Sequence, residues 1–501
     1  MKKSAPAPKR RPFLFLTQLF AVITTFSALF LFHQTQILPP RIFVLFTIFY
    51  LLLLALFIIL SRRFLLLIIL LFLQILLNLV AIFLSLKYND YFAQIGQHDN
   101  YTEKYSLITL ADSEFAKNPT GSPSKIGLLQ SDPYQEYVRQ FLTNEKSPIS
   151  SNEKNPKTGL LAQNINQQDL LQFDNLLSLT SALIHQASLP APDQKVKTIF
   201  LGRPYLDSLK ENNQEVFAKL YVLQEVDLSV SPKIIETTKN SSLDTPFTVY
   251  LSGIDNRDHT MPYAARSDVN LIMVVNPDKR KILILNTPRD FYVPLAMNGQ
   301  KDKLTHAGLY GVNESIRTLE NFYQIKINYY ARINFDAFAS IIDQIGGVDV
   351  TIPYTVNTYH GGRHYAPGSY HLNGDEALDF ARERVSISWA GGDRERGRNQ
   401  EKILSAAIKK LQTDAHILNK FDQIFASLAK NLQTNFTGHD LKYLVQKQLT
   451  KMVDWRIELI DVDGRADITS TFTYPEPKHF VWHPYPESVE RAKSKLKAYL
   501  E

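Results

Sequence analysis

The chain has 501 residues and a mass of 57.3 kDa, more than one core usually holds, so a lone small domain is excluded. It contains no cysteine, which rules out a disulfide scaffold, thiolate metal sites and thiol nucleophiles together and leaves the chemistry to oxygen and nitrogen. A formal net charge of +6 and a pI of about 9.0 point to an anionic partner, although so small an excess also fits flanks that only orient membrane spans.

The oily part comes first. Residues 13–32, 42–60 and 64–86 carry no Asp, Glu, Lys or Arg, and each is long enough for a helix to cross a bilayer core of roughly 30 Å. A cleaved signal peptide does not fit, because no small-residue cleavage site follows His33 and two further spans come directly after. Lys2, Lys3, Lys9, Arg10 and Arg11 precede the first span and Arg62 and Arg63 separate the second from the third, whereas the loop at 33–41 holds only Arg41. The excess of basic residues predicts a cytoplasmic N-terminus at residues 1–12, three crossings within 13–86, and an extracellular remainder after Lys87 in a multi-pass protein of the cell membrane. Gln74 and Asn78 share one face of the third span and predict packing inside a three-helix unit.

Beyond the spans, residues 98–235 are polar and punctuated, with loop-like stretches at 117–125 and 144–159, and read as a small mixed accessory domain. Residues 237–246 (TTKNSSLDTP) have linker composition. From Phe247 the pattern alternates. FTVYLSG, NLIMVV, KILILN, YYARINF, GVDVTIP and WRIELIDV predict strands, whereas ESIRTLENFYQ, FASIIDQI, GDEALDFARER and GRNQEKILSAAIKKL predict helices. Such alternation predicts an α/β layered domain over 247–485, followed by a C-terminal helix at 486–501, with its site in the loops beyond the strand ends.

Polar clusters fall at those positions. GIDNRDHT places Asp255 and Arg257 past the opening strand, and ARSDVNL places Arg266 and Asp268 before the next one. Paired carboxylates without Cys or His suit a hard cation such as Mg²⁺, although from spacing alone surface ion pairing is the better account. NTPRD ends its strand with Arg289, and ARERV at 381–385 combines with GGDRERGRNQ at 391–400. Converging guanidiniums match phosphate oxygens bidentately and point to a di- or polyanionic ligand, while the interleaved acids equally fit a solvated charged face. Phosphate loops and dinucleotide fingerprints are absent, Gly346 and Gly347 read as a helix-ending turn, and His259, His306, His364 and His371 lack metal spacing.

The ordered set GIDNR, RSDVNLIMVV, ILNTPRDFYVPL, DKLTHAGLYG, DQIGGVDVTIP, LNGDEALDFARER and DRERGRNQ resembles the LytR-CpsA-Psr family from residue 247 to about 415. The three spans and the extra region before this set resemble the capsule-locus members of streptococci. The resemblance implies an α/β/α layered catalytic domain with a central mixed sheet. It also implies a phosphotransferase dependent on Mg²⁺, with Mn²⁺ as the alternative. Such an enzyme moves a glycopolymer, here capsular polysaccharide, from a polyprenyl diphosphate carrier to a peptidoglycan sugar hydroxyl, with the membrane and other capsule-assembly proteins as partners.

Carried over by position, Asp255 and Asp268 correspond to acidic residues near the metal, and Arg257, Arg266, Arg289 and Lys303 to binders of the diphosphate. Asp393, Arg382, Arg384, Arg396 and Gln400 correspond to catalytic positions, with Asp393 the candidate general base despite an arginine field that lowers its basicity. One departure is visible: Asn399 and Gln400 stand where many relatives have an Arg-Gln pair, with Arg398 one place earlier. Two other functions are the alternatives, the first of which the same residues could support. A lipid pyrophosphatase would use water as the acceptor, and a membrane-bound transcriptional regulator of capsule expression would need its basic clusters in the cytoplasm, facing nucleic acid.

Overall fold

The computed structural model describes residues 10–35, 40–61, 65–94, 101–119, 123, 125–143, 159–161, 165–185, 196–231, 242–254, 261–384, 392–413, 424, 431–451 and 454–501. The chain forms two compact units, residues 1–97 with 412–430 and 436–454, and residues 98–411 with 431–435 and 455–501.

In the first unit, α1 (Arg10–Thr35), α2 (Pro40–Ser61) and α3 (Leu65–Gln94) contain the apolar stretches Phe15–Thr35, Arg41–Ile59 and Ile69–Asp90, of mean hydropathy 2.0, 3.1 and 2.6. Each is long and apolar enough to cross a membrane. Asn78 is buried among them: its amide donates to Thr24 Oγ1 at 3.0 Å and Thr25 Oγ1 at 2.9 Å, and its carbonyl accepts from the Tyr50 hydroxyl at 2.5 Å. One amide thus joins all three helices, which satisfies a polar group that is costly to leave unpaired in hydrocarbon.

The second unit begins with a mixed sheet. Strands β1 (Tyr101–Leu110), β2 (Ile126–Leu129), β3 (Leu170–Phe173), β4 (Thr198–Gly202) and β5 (Leu220–Val230) stand in the order β3-β2-β4-β1-β5. They are connected through α4 (Glu114–Lys117), α5 (Gln135–Thr143), α6 (Leu176–Ile184), α7 (Arg203–Asn212) and α8 (Gln214–Ala218).

A second sheet follows with β6 (Phe247–Ile254), β7 (Ser267–Asn276) and β8 (Lys281–Asn286). The chain continues through the hairpin of β9 (Tyr292–Pro294) and β10 (Lys301–Lys303), then α9 (Leu304–Ala307) and α10 (Val312–Tyr323). Next come β11 (Tyr329–Asn334), α11 (Phe335–Gln344), β12 (Val348–Ile352), the short pair β13 (Val356–Asn357) and β14 (His364–Tyr365), and β15 (Gly368–Leu372) beside β12. Helices α12 (Gly374–Arg382) and α13 (Gly392–Thr413) precede β16 (Leu432–Thr434) and β17 (Arg456–Asp461). A hairpin of β18 (Gly464–Thr469) and β19 (His479–Pro484) and the helix Pro486–Leu500 end the chain. The six-stranded order is β16-β11-β6-β7-β8-β17, with β11/β6 and β8/β17 parallel and the other neighbours antiparallel.

Local chemistry explains the boundaries. Phe335 ends the predicted strand YYARINF but is the first residue of α11, because the Asn334 side chain accepts from Ala337 N at 2.8 Å and caps the helix there. Asn373 and Glu376 form a reciprocal capping box that starts α12. Gly346 and Gly347, at φ +81° and +77°, end α11 as expected, with their N–H groups on Asp343 O and Ile342 O.

The central sheet buries both faces by strict alternation. Tyr250, Ile272, Val274, Leu283, Leu285 and Tyr330 pack toward α10 and the C-terminal helix, in one core with Ile316, Leu319, Val489 and Leu496. Their neighbours Leu251, Val269, Leu271, Ala331 and Ile333 point the other way, toward Phe335 and Phe338 of α11, Leu378 and Ala381 of α12, and Leu404 of α13. The two sheets are also joined. Tyr101, Tyr105, Tyr134 and Phe200 share the buried cluster of Tyr250 and Tyr263, and Tyr205 and Leu209 of α7 pack with Leu295, Leu309 and Tyr310.

Candidate active site

Antiparallel pairing of β7 with β8 sets Leu271 opposite Asn286. Continuing that register past the strand ends brings Thr287 N to Asn270 O at 2.9 Å and leaves Asp268 facing Arg289. The Arg289 Nη1 to Asp268 Oδ1 distance is 2.6 Å, with both side chains largely buried. Burial opposes ionisation of Asp268, but the guanidiniums of Arg289, Arg266, Arg396 and Arg384 overcome it and hold the carboxyl well below the usual carboxylate range. Asp268 Oδ2 accepts no hydrogen bond among the described residues.

The remaining arginines arrive from two helix ends. Arg382 closes α12 with its guanidinium 4.7 Å from the Phe335 ring centroid, and Arg384 follows two residues later. Arg396 and Gln400 lie one turn apart near the start of α13. Arg396 Nη2 donates to Asp268 O at 3.3 Å, and Gln400 Nε2 donates to Ala381 O at 3.3 Å. Gly397 permits this approach, since a Cβ there would collide with the Asn286 side chain at the end of β8.

These side chains line a polar cavity of about 240 Å³ made by Glu211, Arg266, Asp268, Arg289, Phe335, His360, Arg382, Arg384, Arg396 and Gln400. Five guanidiniums against two carboxylates make it strongly cationic. An apolar cavity of about 170 Å³ lies between the sheet and α11, α12 and α13, and shares Phe335, Arg382 and Gln400 with the polar one. Two adjoining cavities therefore offer charge on one side of these shared residues and hydrocarbon on the other.

The structure brings together Arg266, Asp268, Arg289, Arg382, Arg384, Arg396 and Gln400. Lys303 instead faces Asp290, with Nζ 3.1 Å from Asp290 Oδ1, and it is not among the side chains lining the cavity. Asp255 and Arg257 lie outside the described residues, as does the side chain of Asp393, whose backbone belongs to the first turn of α13. Arg398 is committed elsewhere: Nε lies 2.8 Å from Asp461 Oδ2 and Nη1 2.6 Å from Glu395 Oε1. Buried Asn399 accepts from the Tyr354 hydroxyl at 3.0 Å.

Three supporting residues escaped the sequence reading. Arg332 of β11 is buried and donates to Pro262 O at 2.7 Å, Tyr263 O at 2.6 Å and Gln433 Oε1 at 3.0 Å, fixing the segment that leads into Arg266. Glu103 of β1 accepts from Tyr263 N and from the Tyr134 hydroxyl, both at 2.7 Å. Glu211 of α7 reaches Arg266, with Oε2 2.6 Å from Nη2. Only Arg332 left a signal, a lone charge inside an apolar strand pattern.

Burial raises the Glu103 carboxyl to about 7 against the lowering effects of Tyr134, Tyr263 and Arg332. The folded state then keeps a proton that the unfolded chain releases near pH 4.5, so this group makes stability fall as pH rises from about 4.5 to about 7, by on the order of a few kcal/mol. Glu103→Gln, which keeps the carbonyl acceptor, is expected to raise the unfolding temperature at pH 8 and leave it nearly unchanged at pH 4.5. Parallel pH profiles for the two proteins would show that folding does not raise the Glu103 carboxyl above its ordinary range.

Residues 210–480 match the LytR_cpsA_psr family. The chain is 32% identical over 273 residues to the polyisoprenyl-teichoic acid--peptidoglycan teichoic acid transferase TagU of Bacillus mycoides strain KBAB4, which covers 53% of this chain and 83% of that protein. It is 31% identical over 263 residues to the protein of the same name from Bacillus cereus strain ATCC 14579, covering 52% and 81%. Among solved structures, that of B. subtilis TagV aligns with a TM-score of 0.44 at 27% identity, covering 52% of this chain and 98% of that one.

Proposed function

Because the chain belongs to the LytR-CpsA-Psr family, we propose that it is an envelope phosphotransferase. It takes a glycopolymer from a polyprenyl diphosphate carrier and joins it to a peptidoglycan sugar hydroxyl. The observation that supports this most is the pair of adjoining cavities, because a lipid diphosphate is the ligand whose two ends need an apolar and a multiply cationic wall in contact. The names of the TagU relatives favour glycopolymer transfer to peptidoglycan. Capsular polysaccharide as the polymer rests on the resemblance of the membrane spans and extra region to capsule-locus proteins. In this reading the three helices anchor the protein in the cell membrane and the second unit works outside the cell.

Arg266, Arg289, Arg382, Arg384 and Arg396 bind the diphosphate, and the prenyl chain lies along Leu251, Ala331, Phe338 and Leu378. The acceptor hydroxyl oxygen attacks the sugar-linked phosphorus, a new P–O bond forms, and the bond to the bridging oxygen breaks. Polyprenyl monophosphate leaves with the electron pair of that bond, and the hydroxyl proton passes to a base, for which Asp393 is the candidate. The arginines neutralise charge that grows on the bridging oxygen, and holding donor and acceptor in line supplies much of the acceleration.

Asp268 has the donor chemistry for a hard cation, being kept ionised at the cavity wall with Oδ2 accepting no hydrogen bond among the described residues, and Asp255, outside those residues, is the second carboxylate that the family resemblance assigns to this role. Mg²⁺ or Mn²⁺ held there would supply further neutralisation of the diphosphate.

The test uses the purified full-length chain with donors of short and long prenyl chains. Phosphodiester-linked polymer on a peptidoglycan fragment is expected, with a clear preference for the long chain that Ala331→Phe erases by filling the apolar cavity. Release of free polymer phosphate whether or not the acceptor is present would favour the pyrophosphatase reading instead.

A further inference from the structure

The cationic cavity is not built by the central sheet and its helices alone. One of its ten lining residues, Glu211, comes from α7, which belongs to the preceding five-stranded sheet. Its carboxylate Oε2 lies 2.6 Å from Arg266 Nη2, with relative side-chain exposures of 37% and 18%. α7 is itself firmly seated: Tyr205 and Leu209 are buried against Leu309 and Tyr310, and the Tyr205 hydroxyl donates to Leu309 O at 3.0 Å. Glu211 is therefore presented from a fixed surface.

Arg266 needs such a partner. It precedes β7 in a segment without regular structure, and its backbone is held by Arg332 on the carbonyls of Pro262, Tyr263 and Ala265 and by Glu103 on Tyr263 N. Those bonds fix the chain but not the long side chain. Arg289 has its guanidinium set by Asp268, and Glu211 stands in the same relation to Arg266. A guanidinium offers five N–H donors, so one carboxylate bond leaves most of the fork for a phosphate.

We infer that Glu211 is a positioning residue of the transfer site, through which the region before the central sheet orients Arg266 for the donor diphosphate. The inference rests on the lipid-diphosphate reading of the cavity and adds a residue and a region to it. Two effects of the carboxylate oppose each other. It repels the incoming anion, and it fixes the guanidinium that receives the anion. The first is screened because the side chain is more than a third exposed, whereas a freed arginine must be reordered each time a ligand binds. Fixing wins.

Calorimetric titration of the full-length chain with inorganic diphosphate tests this without depending on transfer chemistry. Glu211→Ala is expected to weaken diphosphate binding about tenfold, with no comparable change in unfolding temperature. Glu211→Gln, whose side-chain carbonyl still accepts from Arg266, is expected to bind as tightly as the unaltered chain or tighter. In an Arg266→Ala background, Glu211→Ala should have no further effect, since the two residues act as one unit. Unchanged or tighter binding by Glu211→Ala, or equal weakening by Gln and Ala, would overturn the positioning role. Failure of the unaltered chain to bind diphosphate would instead remove the reading of the cavity, and this role with it.

Discussion

Asp268→Ala is expected to lower turnover of a lipid diphosphate donor by three decades or more, a barrier increase of about 4 kcal/mol. Three losses coincide in this substitution. The Arg289 guanidinium loses the carboxylate 2.6 Å away that sets its direction, the cavity loses an ionised oxygen suited to a hard cation, and four neighbouring arginines lose charge compensation. Removing one partner from a largely buried ion pair also threatens the fold, so Asp268→Asn is the informative companion. The amide keeps the acceptor for Arg289 and loses only the charge. If orientation were the whole role, Asn would restore most of the rate. A deficit close to that of Ala, read by steady-state kinetics on protein with an unchanged unfolding transition, assigns the role to charge. Turnover within tenfold of normal in both variants would place Asp268 outside the chemistry.

Arg289→Lys is expected to be nearly as harmful as Arg289→Ala, each lowering activity by two decades or more. Lysine keeps the positive charge and can still pair with Asp268, so a purely structural arginine would tolerate the exchange. A phosphate ligand would not, because the planar fork that bonds two oxygens in parallel is replaced by a single ammonium. Arg289 lies three residues past the end of β8 with its side chain on the wall of the cationic cavity. Normal turnover in the lysine variant would show that the residue only balances Asp268 and Asp290.

The parts of this fold that were legible in the sequence are those written in short local patterns. The nearly continuous apolar runs FTVYLSG, NLIMVV and KILILN marked three buried strands, and the twofold parity of a strand sorts Tyr250 from Leu251 and Ile272 from Leu271 onto opposite faces. The clustering of Arg382, Arg384 and Arg396 was visible as composition, but their convergence on Asp268 was not, because it depends on how α12 and α13 meet the sheet edge. The Asp268 and Arg289 pair follows from strand register, which a sequence reveals only when the pairing between β7 and β8 is known. Arg398 and Arg396 look alike in DRERGRNQ, yet two positions on a helix turn one into the cavity and the other toward Asp461 and Glu395. Glu211 and Glu103 carried no signal at all, since an acid on an amphipathic helix or a strand end reads as solvated surface until a second layer is placed over it.

The shared core of the two sheets bears on how genetic deletions of this protein are interpreted. Excising residues 98–235 as though they were a dispensable appendage would strip Tyr101 and Tyr134 from the Tyr263 ring, Glu103 from Tyr263 N, and α7 from Leu309 and Tyr310. The newly bared aromatic surface lies directly under the segment that carries Arg266. A null phenotype from such a truncation reports a collapsed scaffold and is silent on what the region contributes. An allelic series at single exposed positions, read for enzyme level as well as phenotype, is the form of genetics that this architecture allows.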